Sequence, residues 1–231
     1  MAIWTYLKEH DRGKTNFHFE VAADLLNEEE MELIASMRPG LIQLEIGIQS
    51  TNPETITEIR RKMNFEEVKR IVKRVQEKGN VHQHLDLIAG LPYEDYERFA
   101  QSFRDVYALH PEQLQLGFLK VLKGSYMHEK TEDYQLLYQD RPPFEVLSTK
   151  WLSYDDVIRL KGVEEMVEVY YNSWQFARTG ELLTEEFEDY FGLYEALADF
   201  YEEQGYNGRS HSRMERFLIL REFALSLNPT R

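Results

Sequence analysis

Cysteine is absent from all 231 residues. Its absence excludes disulfides, thiolate metal sites, a cysteine nucleophile and any iron–sulfur cluster held by the chain's own thiolates. Basic charge is scarce: 27 Lys and Arg stand against 41 Asp and Glu, a net charge of −14. That balance repels phosphate backbones and anionic bilayers, so neither nucleic acid nor membrane is an expected partner. Long apolar runs are also missing. Stretches such as Leu85 to Leu91 are interrupted by charge and fall far short of the roughly 20 residues a membrane span needs. The opening MAIWTYLKEHDRGK has neither the basic head nor the apolar stretch of a signal peptide, and a cytoplasmic location is expected.

What is present is enough for a core, with 42% hydrophobic residues of which a good part is aromatic. Up to about Ser125, short β-like runs alternate with charged helical segments, the pattern of βα units and a parallel sheet. The runs are 16–21, 41–49, 81–88 and 113–121, with helices expected near 3–10, 27–37, 53–60, 65–78 and 94–109. In 65–78, Phe65, Val68, Ile71, Val72 and Val75 recur at three- and four-residue spacing, which buries one face on the sheet. Beyond Ser125 a Tyr- and Pro-containing connection leads into helical pattern at 153–178, 184–204 and 209–226. The fold expected is α/β: a partial (β/α) barrel of about four parallel strands over 1–125, then a mainly helical domain over 126–231. The aromatic stripe from Tyr170 to Tyr201 reads as packing rather than a cofactor box.

Residues two apart on a strand share a face. His18 and Glu20 share one; Gln43, Glu45, Gly47 and Gln49 oppose Leu44, Ile46 and Ile48; His82, His84 and Asp86 oppose Val81, Leu85 and Leu87. One face is apolar and the other polar. A parallel sheet covered by helices on both sides is normally apolar on both. The polar face is therefore expected to line a solvated or liganded cavity, as at the mouth of a β/α barrel. Taken singly, each of these residues is as readily a satisfied interior group as a ligand-binding one. Together, Glu20, Glu45 and Asp86 require partners such as an amine, a ribose, Arg61 or a metal, because an unpaired buried carboxylate costs on the order of several kcal/mol.

The cavity candidates on this face are His18, Glu45, His82 and His84, with Lys120 on the last strand. His82-x-His84 followed by Asp86 admits a metal-dependent hydrolase as an alternative, but spacing fixes no further ligand and no metal is expected. A second alternative is a non-catalytic nucleoside- or protein-binding α/β module. Ser50 or Asn52 is placed to cap the helix that Pro53 opens.

The runs FHFE (17–20), LEIGIQS (44–50), Arg60-Arg61 and HLDLIAGLP (84–92), in that order and spacing, resemble the later half of the radical S-adenosylmethionine (SAM) core. The resemblance is greatest to cobalamin-binding members, among them magnesium-protoporphyrin IX monomethyl ester cyclase-like and methyltransferase-like proteins. LQLGFLKVLKGS (114–125) and PPFEVLST (142–149) resemble a subgroup with a C-terminal helical domain. The resemblance implies that Glu20, Gln49, Arg61 and Asp86 approach SAM, with Asp86 at the ribose, Ile88 near the adenine, Gln49 and Arg61 at the methionine carboxylate, and Glu20 near the amino group.

The CxxxCxxC loop that holds the family's 4Fe–4S cluster has no counterpart here. The resemblance therefore implies a C-terminal fragment of a radical SAM oxidoreductase or methyltransferase, running from the third to the sixth βα unit. The intact parent would use SAM and the cluster, with cobalamin in the subgroup that binds it, on a small-molecule substrate that the sequence does not identify. The isolated chain is expected to contain no catalytic residue, to be inactive and to retain at most weak SAM binding. The edge of the 16–21 strand is expected to invite homodimer formation.

Overall fold

Four strands pair in parallel in chain order in the computed structural model, which describes residues 1–187 and 189–227. They are β1 (Phe17–Val21), β2 (Ile42–Gln49), β3 (His82–Ala89) and β4 (Gln113–Phe118), so β1 and β4 form the sheet's two edges. Helix α1 (Ala2–His10) precedes β1, and α2 (Glu28–Ala35) joins β1 to β2. Between β2 and β3 lie α3 (Pro53–Glu58) and α4 (Phe65–Gln76), and α5 (Tyr96–Tyr107) joins β3 to β4. The α/β class and the four parallel strands are as the sequence pattern leads one to expect.

Local chemistry starts each helix. Asn27 and Glu30 form a reciprocal capping box on α2, whose first turn is acidic throughout. Asn52 accepts from the Glu54 amide and Pro53 occupies the first turn of α3. Asn64 accepts from the Glu66 and Glu67 amides at the start of α4. The apolar stripe of α4 is buried at Val68, Ile71, Val72 and Val75, and that of α5 at Phe99, Phe103 and Val106. With them, Leu44, Ile46, Ile48, Leu85, Leu87 and Leu114 on one sheet face make the core. Each such side chain stabilises the fold by about 1.5–3 kcal/mol through burial.

One polar residue interrupts that apolar face. Gln83 is fully buried and donates to the Val72 carbonyl of α4 at 3.1 Å, tying helix to strand. The first compact unit runs from Met1 to Tyr154, past the point where the β signal fades. The segment after β4 folds back on it through backbone bonds from Val121 to the Phe144 carbonyl and from Val146 to the Leu119 carbonyl. It carries a short helix α6 (Tyr126–Glu129) and an antiparallel pair, β5 (Leu137–Tyr138) with β6 (Val146–Ser148), where the sequence pattern indicates only a connection. Gly90 shows why glycine stands at the end of β3: its φ is +88° and a Cβ would lie 2.8 Å from a Val146 methyl.

The second unit, from Asp155 onward, is helical. It contains most of α7 (Tyr154–Met166), a π-helical turn (Val167–Asn172), α8 (Ala177–Thr184), α9 (Tyr190–Glu203) and α10 (Arg213–Leu227). The single helix expected over 153–178 is thus broken, because Trp174 adopts a left-handed φ of +58° before α8 begins. Most of the aromatic stripe packs: Tyr170, Phe191, Tyr194, Phe200 and Tyr201 are buried, while Trp174 is exposed. The Tyr170 and Tyr201 hydroxyls bond each other at 2.6 Å, and the Tyr170 hydroxyl also donates to the Arg216 carbonyl. Gly162 permits close approach of α7 and α9, since a Cβ there would meet that of Ala198 at 3.0 Å.

Candidate functional site

Parallel register places the polar residues of three strands side by side. Glu20 pairs with Glu45, Glu45 with His84, Gly47 with Asp86 and Asp86 with Gln115. His18 reaches diagonally to Glu45, with His18 Nε2 2.7 Å from Glu45 Oε2. His82 stands opposite Gln43, nearer the amino ends of the strands. Ile88 follows Asp86 on the same face, opposite Gly117, and is the apolar residue nearest the carboxyl end of that row. Lys120 lies beyond the end of β4, exposed, in an isolated bridge with Glu145.

At the carboxyl end of β2 the ladder shifts register between Gly47 and Gln49. Gln49 itself has a left-handed φ of +69°. A bulge of this kind re-aims a side chain at the rim of a sheet. Arg61 Nη2 donates to the Gly47 carbonyl at 2.5 Å, and a Cβ on Gly47 would stand 3.5 Å from that nitrogen and 3.8 Å from Gln49 Nε2. Arg61 and Gln49 thus converge on Gly47 at ordinary contact distance. A cleft of about 300 Å³ opens beside them, lined by Ala22, Asp24, Gly47, Arg61, Lys62 and Met63.

The turns after β2 and β3 are bound to each other by a buried carboxylate. Glu94 Oε1 accepts from Ser50 Oγ at 2.6 Å and from Ser102 Oγ at 2.8 Å. Ser50 Oγ also accepts from the Asn52 amide, Asn52 Nδ2 donates to the Tyr93 carbonyl, and Thr55 Oγ1 donates to the Pro92 carbonyl. Burial raises the Glu94 pKa, against the two hydroxyl bonds, which lower it.

The electrostatics of the polar face are unbalanced. Asp86 is pushed up to about 8, first by burial, then by the charge of Glu45, a hydrogen bond shared with it and the charge of Glu20; Arg61 acts in the opposite sense. Its Oδ1 is buried without a hydrogen-bond partner. His84, 5% exposed, is held below the ordinary imidazole value by burial, with Glu45 opposing. Neither of its ring nitrogens makes a hydrogen bond of good geometry, although Asp86 Oδ1 stands 3.4 Å from Nε2. A face with clustered carboxylates and buried atoms lacking partners is built to receive a cationic or hydroxylated ligand.

Residues 2–106 match the family model described as the Radical SAM superfamily. That match covers 105 of the chain's 231 residues. Residues 132–230 match a second family, described as a protein of unknown function, DUF4080. Among curated relatives, the oxygen-independent coproporphyrinogen III oxidase of Paracoccus denitrificans is 32% identical over 100 residues, covering 43% of this chain and 22% of the relative. The enzyme of the same name from Escherichia coli is 28% identical over 107 residues, covering 44% of this chain and 23% of the relative. The solved structure of the coproporphyrinogen III oxidase HemN from Escherichia coli, described as a radical SAM enzyme, superposes with a TM-score of 0.51 at 18% identity over 69% of this chain and 34% of that one. That likeness shows a shared fold. The chain spans about a fifth to a third of the length of these relatives.

Of the residues expected to approach SAM, the radical SAM segment brings Gln49 and Arg61 together around Gly47, with Asp86 beside Gly47 in register. Glu20 lies on the edge strand, exposed, close enough to influence Asp86. Among the cavity candidates, His18, Glu45 and His84 converge, whereas His82 and Lys120 stand apart from them. Sequence reasoning missed Glu94, Ser102 and the bulge. Ser102 was the available signal: a polar residue three after Phe99 in the buried stripe of α5 needs a buried partner. No membrane-length apolar helix occurs among the described residues.

Proposed function

We propose that residues 2–106 form part of the SAM-binding wall of a radical SAM barrel. The observation that carries this reading is Asp86, half-buried near Glu45 with one buried oxygen lacking a hydrogen-bond partner, and paired in register with Gly47, on which Arg61 and Gln49 converge. Its neighbours include more negative charge than Arg61 alone offsets, so an ammonium or ribose hydroxyls would complete it. On this reading Asp86 accepts from the ribose and Glu20 takes the amino group. Arg61, which has further donors beyond the one given to Gly47, holds the methionine carboxylate with Gln49. Ile88 offers an apolar contact to the adenine. When bound, SAM supplies a sulfonium open to reductive cleavage.

The 4Fe–4S cluster does not fit this chain in the same way, because the sequence offers no thiolate. The chain's own residues therefore bind and orient; on this reading the isolated chain is catalytically silent. What supports the cyclase-like assignment is the resemblance at 17–20, 44–50, Arg60-Arg61 and 84–92, with 114–125 and 142–149 resembling a subgroup that has a C-terminal helical domain, while the curated relatives quoted above are coproporphyrinogen III oxidases. We carry the proposal only to SAM-dependent radical chemistry.

Calorimetry with SAM tests it. The wild-type chain should bind, and Asp86→Ala or Arg61→Ala should weaken binding about tenfold or more, the loss of one charge-assisted hydrogen bond. Absence of binding, or binding indifferent to both substitutions, would overturn the proposal.

A further inference from the structure

We propose that His18, Glu45 and His84 form a binding site for a divalent first-row transition-metal ion, of which Zn2+ is the type, on the polar face of the sheet. The three residues sit on three adjacent parallel strands, and one ligand atom from each lies within 4.8 Å of the others. Two imidazoles and one carboxylate are a donor set suited to zinc, or to ferrous iron, with coordination positions left open. The spacing within β3 alone indicates His82, His84 and Asp86; it is the register between strands that instead supplies His18 and Glu45.

A plain ion pair accounts for only two of the three. His18 and Glu45 satisfy each other at 2.7 Å. His84 has no such partner: it is 5% exposed, and both ring nitrogens lack a hydrogen bond of good geometry, with Gln115 and Asp86 nearby. A buried imidazole left this way is costly. The surroundings suit a cation, since Glu20 and Asp86 lie on the same face and Arg61 is the cation that acts on Asp86.

The site is independent of the SAM reading. His18 and His84 each precede by two residues the strand positions of Glu20 and Asp86, which places them about 6.6 Å nearer the amino ends of their strands. An ion held there would occupy the interior beneath the proposed cofactor wall and would link β1, β2 and β3.

The test uses the full chain, free of any affinity tag and stripped with a chelator. Zn2+ is titrated by calorimetry, and protein labelled with 15N at its seven histidines is followed by NMR. One ion per chain should bind, shifting the side-chain nitrogens of His18 and His84 and leaving the other five in place. His84→Gln and Glu45→Gln should each weaken binding about tenfold or more. No binding, or shifts confined to other histidines, would overturn the proposal, as would affinity unchanged in both variants. The NMR result on wild-type protein stands even where a variant fails to fold.

Discussion

The two faces of the β1–β4 sheet are made by the same strands and obey opposite rules. On one, Leu44, Ile46, Ile48, Leu85 and Leu87 are sealed under helices, and nearly every group there is satisfied by packing. On the other, Glu20, Glu45, His84 and Asp86 crowd charge together and leave ring nitrogens and a carboxylate oxygen without partners. Stability thus resides on the first face, and the second gives some of it up to unpaired charge. The comparison teaches that adjacent residues on one strand, such as Leu85 and Asp86, can differ in the sign, and not only the size, of their contribution to folding.

The largest expected effect comes from the apolar side. Leu85 is 0% exposed, and Leu85→Ala should destabilise by about 2–5 kcal/mol in urea unfolding, through lost burial and the cavity left behind. A loss under about 1 kcal/mol would mean that the core does not depend on this face. The next effect has the opposite sign. Asp86 is raised from 3.8 to about 8 in the folded protein, so the folded state holds a proton that the unfolded state has released. Stability should therefore fall as pH rises from about 4 to about 8. Asp86→Asn should flatten that slope and stabilise the protein at pH 9 on the order of 2 kcal/mol, below the full linkage value because Glu45 shares the proton. Equal pH profiles for the two proteins would refute the assignment. The smallest effect belongs to the partly exposed His18–Glu45 pair, whose side chains are 45% and 28% accessible. With chelator present, His18→Ala should change stability by no more than about 0.5 kcal/mol; a greater loss would make the polar face a structural element in its own right.

The contrast between the faces was legible in the sequence because a strand's pleat converts alternation directly into sidedness, and β1, β2 and the part of β3 from His84 to Leu87 alternate cleanly. Gln83 was not, since it occupies a core position and is accepted there only because the Val72 carbonyl of α4 is within reach. The turn chemistry was half legible. Asn52 caps α3 as its position before Pro53 indicates, but Ser50 serves Glu94 and the Asn52 amide, a role that depends on two segments meeting. The bulge at Gln49 is invisible to spacing because it arises from the β2–β3 ladder and not from either strand alone. For the same reason the convergence of His18 with His84 could not be read along the chain. In the second unit helical periodicity was plain, whereas the break at Trp174 lacks the glycine or proline that marks such a stop in sequence.

The Glu94 hub has a consequence for recognition. The Ser50–Glu94 bond and the bond from Asn52 Nδ2 to the Tyr93 carbonyl tie the turn following β2 to the turn following β3, and the Asn52 amide–Ser50 and Ser102–Glu94 bonds brace each side. Those turns carry the backbone from Gln49 toward Arg61 and from Asp86 past Ile88, so both banks of the cradle are fixed before any ligand arrives. A ligand entering there would lose its own freedom but would not have to freeze the protein's, and the entropic penalty that weakens binding at mobile loops would be largely absent.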